Sequence, residues 1–308
     1  MKKSFLLPLL AINFYHVMGG FDFIVLDKLT ATISPAAVIF LRLLLAAVVL
    51  MLYAAARKIS LRIKKADLLR VILCGGIGFA LYYTLEATGI EKTSGSLASL
   101  ILALIPFFGM VGDRIVFKNP ISWKKGACAC CSIGGVFLIV TGSSGADLTG
   151  TVYGIMIMFA AALAWTSYII LVKPLQENYD LIAITAVLFL VGTVFELPVF
   201  LASGPAEILK LGGFDWTILI ASGIICIALG QVMYIYGVGR LSVTTVSLYA
   251  NLLPLVTVIF SFLFFGQVLT IRQLIGGAVI LTVVTLASIL PDNGTPEPRE
   301  SGKGEEHK

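Results

Sequence analysis

The stretch GIEKTSGSLASLILALIP (residues 89–106) lines up without a gap on GVGRLSVTTVSLYANLLP (residues 237–254), 148 residues further along the chain. Each stretch begins with glycine, passes through a short polar loop and ends at a proline inside an apolar run, Pro106 or Pro254. A gapless match that includes the loops as well as the prolines indicates an internal duplication.

The composition is that of a membrane protein with several spans. The 308 residues are 58% hydrophobic and 13% charged, with a mean hydropathy of +1.00. The charged share is about half of that in ordinary soluble domains. Apolar stretches of about 20 residues, each enough to cross a hydrocarbon core of about 30 Å, recur along the chain. We predict ten spans, at residues 5–26, 34–56, 68–88, 94–117, 123–141, 151–172, 180–203, 215–238, 243–265 and 270–290.

The fold class that follows is an all-α integral membrane protein of ten transmembrane helices, arranged as two inverted five-helix repeats. The repeats are residues 1–142 and 143–290, and residues 291–308 are expected to form a disordered cytoplasmic tail. An odd number of spans per repeat makes the second repeat enter the membrane from the opposite side. Inverted repeats are typical of secondary transporters, whose substrate site lies near the midplane between the repeats.

Charge and cysteine usage limit the partners. The formal net charge is +5, but most basic residues flank spans, where they set orientation and predict cytoplasmic termini. We therefore expect a multi-pass protein of the plasma (inner) membrane that contacts lipid and a small-molecule solute and binds no nucleic acid. The five cysteines lie within predicted spans without metal-site spacing, and no nucleotide motif is present, so no metal or cofactor is expected. The sequence leaves the oligomeric state open.

Ionisable side chains inside spans are costly and are therefore functional candidates. We predict that Arg42 pairs with Asp22 or Glu86 as an outer gate or coupling site that accepts a proton or a substrate carboxylate. The alternative is a permanent salt bridge, or side chains that reach the interface. His16 is a candidate proton relay, with a packing role as its alternative.

Two further groups of residues are candidates. Pro106 and Pro254 interrupt matched spans and are candidate hinges, because a proline within a helix removes a backbone hydrogen bond; the alternative is a tolerated kink that only shapes helix packing. Aromatic and amide side chains near the kinks suit an apolar or aromatic amine or an amino acid, although such aromatics are also common packing and interface residues. The binding candidates are Tyr82, Tyr83, Trp165, Tyr168, Gln231, Tyr249 and Asn251.

The sequence resembles the drug/metabolite transporter (DMT) superfamily, in its ten-helix, two-repeat EamA branch. The resemblance rests on GGFDFIVLDKLTATISPAAVIFLRLLLAAVVL (19–50), on AALAWTSYIILVKPL (161–175) and on the two proline-containing spans. It implies a ten-helix basket and export or exchange of small metabolites such as amino acids. Where the family often has glutamate after the fourth and ninth helices, this chain has Asn119 and Gln267, so that carboxylate's role does not transfer.

We therefore predict a secondary transporter, not an enzyme, that moves amino acids, related metabolites or drugs across the plasma membrane, with efflux by alternating access as the expected direction. Protons are a candidate coupling ion. The alternatives are a membrane-embedded enzyme acting on a lipid or isoprenoid, which would need clustered catalytic carboxylates or histidines, and a membrane regulator that transports nothing.

Overall fold

The computed structural model describes residues 3–105, 107–108, 111, 123–142, 148–238, 240, 252–266 and 268–289. Within these ranges every regular element is helical. Helix α3 corresponds to the span Lys65–Lys92 and helix α8 to the span Gly213–Gly237. The other helices are α1 (Lys3–Thr30), α2 (Pro35–Ala56), α4 (Gly95–Leu102), α5 (Trp123–Gly142), α6 (Leu148–Asn178), α7 (Leu181–Ser203), α9 (Leu252–Phe265) and α10 (Ile271–Ile289).

Six helices in the described part of the chain are long and apolar enough to cross a membrane: α1, α2, α3, α6, α7 and α8. The described parts of α9 and α10 contain shorter apolar stretches. Many large apolar side chains face outward, among them Leu52 (66% exposed) and Leu263 (65% exposed). Apolar surface on this scale indicates a lipid environment, so the prediction of an all-α, multi-pass membrane protein is confirmed.

Helices α3 and α8 share an irregularity that sequence analysis did not predict. Each contains seven residues with π-helical hydrogen bonding, Gly75–Leu81 in α3 and Gly223–Leu229 in α8. The two segments, called the π turns below, lie 148 residues apart. π-Helical turns are rare and are frequently found at functional sites.

The helices pack in matched pairs. Helix α7 lies against the π turn of α3, and α2 lies against the π turn of α8. In the same way, α6 packs on α3 and α1 packs on α8, while α2 contacts α7 and α5 contacts α10. Among the described helices, these contacts between the first half of the chain and the second therefore have counterparts with the two halves exchanged.

Glycines allow the closest of these approaches. A Cβ atom on Gly75 would overlap the side chain of Val191 and lie 3.2 Å from the carbonyl oxygen of Leu188. In the second half, a Cβ on Gly223 would lie 2.9 Å from a terminal methyl of Leu45. Small residues at such positions let membrane helices approach one another closely.

Side chains near the helix ends connect distant parts of the chain. The backbone N–H of Ser34, the N-cap residue of α2, donates to Glu207 Oε2 at 2.9 Å. This hydrogen bond holds the pKa of Glu207 below its ordinary value. Near the start of α3, the hydroxyl of Tyr179 donates to Asp67 Oδ2 at 2.6 Å, which raises the pKa of Tyr179.

Candidate substrate and coupling site

Six buried or partly buried aromatic rings meet where α1, α3, α6 and α8 come together. The rings of Tyr82 and Trp165 lie 4.6 Å apart, and those of Tyr15 and Tyr234 lie 4.5 Å apart. Trp165 joins the two pairs, since its ring is 5.8 Å from that of Tyr234. We call this group the aromatic cluster; its members are Tyr15, Tyr82, Tyr83, Trp165, Tyr168 and Tyr234.

The local structure of α3 positions much of this cluster. Tyr82 and Tyr83 directly follow the first π turn, and their rings lie 5.1 Å apart. Tyr168 can enter from α6 because Gly78 has no side chain: a Cβ there would overlap the tyrosine ring. The candidate residues Tyr82, Tyr83, Trp165 and Tyr168, predicted separately from sequence, thus form one contiguous surface.

Gln231 adds a polar group to the cluster. Its Nε2 donates to the hydroxyl of Tyr168 at 3.0 Å, and the residue is 1% exposed. The amide oxygen of Gln231 has no hydrogen-bond partner among the described residues. A buried acceptor without a partner is costly unless another group satisfies it, so this oxygen is available to a ligand.

Arg42 and Asp22 form a buried ion pair between α2 and α1 through Arg42 Nη2 and Asp22 Oδ1. Arg42 is 1% exposed and Asp22 is 6% exposed. Within the described ranges, Nε and Nη1 of Arg42 have no hydrogen-bond partner. The sequence left Asp22 and Glu86 as alternative partners, and the structure places Asp22 against the guanidinium.

Glu86 is a buried carboxyl group on α3 beside the aromatic cluster. Its carboxyl accepts a hydrogen bond from the hydroxyl of Tyr82, one helical turn earlier. Glu86 is 3% exposed and interacts electrostatically with Asp22 and Arg42. Two buried carboxyl groups and one guanidinium are therefore close together beside the aromatic rings.

His16 lies at the edge of the site. Its ring packs edge-on against Tyr15, with centroids 5.1 Å apart, and it is 4% exposed. Neither ring nitrogen has a hydrogen-bond partner in the part of the chain that the structure describes. The structure thus gives His16 an aromatic contact and no ion pair in that part.

Three of the predicted site residues lie outside the described residues: Pro106, Tyr249 and Asn251. Pro254 is the third residue of α9 and is buried. The hinge roles of both prolines remain predictions.

Sequence reasoning missed Tyr15, Tyr234 and Cys226. Cys226 belongs to the second π turn and lies close to Asp22. A signal existed for Tyr234, which lies three residues after Gln231 and hence on the same helix face. It also occupies the position 148 residues after Glu86. For Tyr15 the sequence held no comparable signal, because its place depends on the rotation of α1.

A multi-pass helical fold with a buried polar and aromatic site between its helices defines a membrane transporter class. The chain belongs to the EamA-like transporter family, whose model matches it twice, at residues 7–141 and 152–289. The sequence-based identification of the family is therefore confirmed.

Relatives in several organisms have transporter names. An uncharacterized transporter of Archaeoglobus fulgidus is 26% identical over 285 residues, covering 91% of this chain and 96% of the relative. A probable terminal-alkyne amino-acid exporter of Streptantibioticus cattleyicolor is 30% identical over 233 residues, covering 73% and 74% of the two chains. The uncharacterized transporter YdfC of Bacillus subtilis is 27% identical over 248 residues, covering 80% of this chain and 79% of the relative. These names agree with a transporter rather than an enzyme.

A protein of known crystal structure has the same fold. It superposes with a TM-score of 0.65 at 16% identity and covers 93% of this chain and 96% of its own. At this identity the likeness concerns the fold alone.

Proposed function

We propose that this protein is a secondary transporter that exports small organic metabolites, amino acids or related compounds, across the plasma membrane by alternating access. The observation that carries the proposal is the aromatic cluster, to which α1 and α3 contribute from one half of the chain and α6 and α8 from the other. A site shared between two halves can be exposed to either side when one half tilts against the other.

The proposal includes ten spans, two inverted repeats at residues 1–142 and 143–290, and cytoplasmic termini. Three observations support the repeat: the 148-residue offset of the π turns, the matched helix contacts, and the two successive matches of the family model. The uneven distribution of basic residues supports the orientation.

Amino acids and related compounds are the proposed solutes for two reasons. One relative is named as a probable terminal-alkyne amino-acid exporter, and the site combines aromatic faces with the amide of Gln231 and three ionisable groups. Ligand sites are typically apolar surfaces with a few polar groups that orient the ligand.

The test uses purified protein in liposomes loaded with amino acids, polyamines, nucleosides and cationic dyes, with mass spectrometry of the solutes that leave. We expect selective exit that depends on the protein and is strongly reduced by Trp165→Ala. Trp123→Ala is the matched control, because Trp123 is 75% exposed and lies outside the aromatic cluster. Folded, inserted protein that releases no solute would contradict the proposal.

A further inference from the structure

The charges at the site do not balance. Asp22 and Glu86 supply two carboxyl groups, while Arg42, already paired with Asp22, supplies one guanidinium. All three side chains are buried. With both carboxyls ionised, the site would carry one negative charge without a counterion, and a buried charge of this kind costs several kcal/mol.

The groups around Glu86 provide no second cation in the described part of the chain. Apart from the ion pair, the titratable side chains that interact with Glu86 are the phenols of Tyr15, Tyr82 and Tyr83. The other titratable groups of the neighbouring site are phenols, a thiol and an imidazole without an ion-pair partner there: Tyr168, Tyr234, Cys226 and His16. The missing positive charge therefore comes from a proton on Glu86 or from a bound cation.

The aromatic cluster indicates which cation fits. Tyr82 belongs to both parts of the site: its ring packs on Trp165 and its hydroxyl bonds Glu86. Faces of tryptophan and tyrosine attract ammonium groups, most strongly where water is excluded. The unpartnered amide oxygen of Gln231 can accept an N–H hydrogen bond from the same ligand.

Building on the proposed transport function, we infer that the substrate class is organic ammonium ions and that the substrate and a proton replace one another at Glu86. When the amine cation enters, the O–H bond of the Glu86 carboxyl breaks and the proton passes to water. The carboxylate then pairs with the ammonium group. A zwitterion brings its own carboxylate together with its ammonium group, so it neutralises the site less completely, and an amino acid is a weaker ligand here than the corresponding amine.

The test measures binding and proton release in the purified full-length protein, which separates this inference from transport itself. Tryptamine and phenethylamine are the cationic probes, and tryptophan is the zwitterionic control. Calorimetry in two buffers of different ionisation enthalpy gives the protons released per ligand. We expect about one proton per amine and an affinity that rises about tenfold per pH unit while Glu86 is protonated. Tryptophan should bind at least about tenfold more weakly, since one uncompensated charge costs more than 1.4 kcal/mol.

Two variants assign the proton to Glu86. Glu86→Gln should abolish proton release and make amine affinity independent of pH, whereas Glu86→Asp should retain release. Glu196→Gln is the matched control: Glu196 is 1% exposed and bonds Thr84 at 2.7 Å, so it is a buried carboxyl on α7 with a different partner. It should keep both the affinity and the release of the unmodified protein.

The possible outcomes distinguish the inference about Glu86 from the proposal that the protein is a transporter. Undiminished proton release in Glu86→Gln, equal binding of tryptophan and tryptamine, or failure of both amines to bind would overturn the inference. Solute flux from liposomes in the absence of amine binding would leave the transport proposal standing alone. Amine binding with proton release but without flux would support the site and contradict transport.

Discussion

The segments that follow the two π turns have matched backbones and different side chains. In α3 the turn leads into Tyr82, Tyr83 and Glu86, and in α8 it leads into Gly230, Gln231 and Tyr234 at the corresponding positions. One segment therefore contributes a carboxyl group and the other an amide and a phenol. The matched scaffold places both segments at the same site, but only the first half supplies its charges.

The ion pair of Asp22 and Arg42 is likewise present in the first half of the chain and absent from the matched positions of the second half. The positions 148 residues after Asp22 and Arg42 are occupied by Ile170 and Leu190, which are apolar. Leu190 is 40% exposed, whereas Arg42 is almost completely buried. A duplicated fold can thus keep its packing in both halves while the buried ion pair is present in one half alone.

The largest effect is expected from Arg42→Gln. Removing the guanidinium leaves Asp22 buried and unpaired, which costs about 3–5 kcal/mol of folding free energy. Thermal unfolding in detergent should show a large loss of stability, and transport should fall more than expression. The double variant Asp22→Asn/Arg42→Gln should be more stable than Arg42→Gln alone.

Lys28→Gln is the control for this prediction. Lys28 pairs with Asp215 at 3.7 Å and its side chain is 37% exposed, so its loss should cost below about 1 kcal/mol. Equal stability of Arg42→Gln and Lys28→Gln would show that the buried pair contributes little.

The two π turns should differ in their tolerance of a methyl group. Gly75→Ala should cost about 1–3 kcal/mol, because the new Cβ meets Val191 and the carbonyl of Leu188. Gly223→Ala should cost less, since the terminal methyl of Leu45 can move. Gly134→Ala is the control, because among the described residues no atom outside its own stretch of helix lies within 4 Å of the added Cβ. Chemical or thermal unfolding of the three variants measures the order, and equal losses at Gly75 and Gly223 would contradict it.

The proline hinges predict a change in rate rather than in stability. Pro106→Ala and Pro254→Ala should slow solute exit from liposomes several-fold, because alanine returns the backbone N–H that proline lacks and removes the ring clash, so that the chain at each position is harder to bend. Unfolding temperatures should stay near that of the unmodified protein. Unchanged transport rates in folded variants would refute the hinge hypothesis.

The smallest losses of stability should come from two contacts near helix ends, Glu207 with Ser34 and Tyr179 with Asp67. Their contributions to stability depend on pH with opposite signs. The pKa of Glu207 is lowered, so its contact stabilises the fold above the ordinary value of 4.5 and is lost as the pH falls. The pKa of Tyr179 is raised, so its contact is present below 10.0 and is lost as the pH rises.

Unfolding temperatures measured from strongly acidic to strongly alkaline pH test how much each of the two contacts stabilises the fold. Glu207→Gln should lower the unfolding temperature slightly near neutral pH and not at strongly acidic pH. Tyr179→Phe should do so near neutral pH and not at strongly alkaline pH. A constant difference at all pH values would refute these assignments.

A site residue could be predicted from the sequence only where the feature that marks it lies in the neighbouring sequence. Arg42 and Glu86 could be selected because an ionisable residue within an apolar run is visible in the sequence itself. The π turns were missed because GGIGFAL and GIICIAL differ in composition and carry no shared turn signal. They pack against the helices α7 and α2, which lie far away in sequence.

The sequence by itself determined the membrane class, the family and the few ionisable side chains, because apolar run length and composition act locally along each helix. Only the tertiary structure decided that Arg42 pairs with Asp22 and that Tyr15 and Tyr234 complete the aromatic cluster. Those contacts depend on how far each helix is rotated about its axis. That rotation is set by the packing of α1, α3, α6 and α8 against one another.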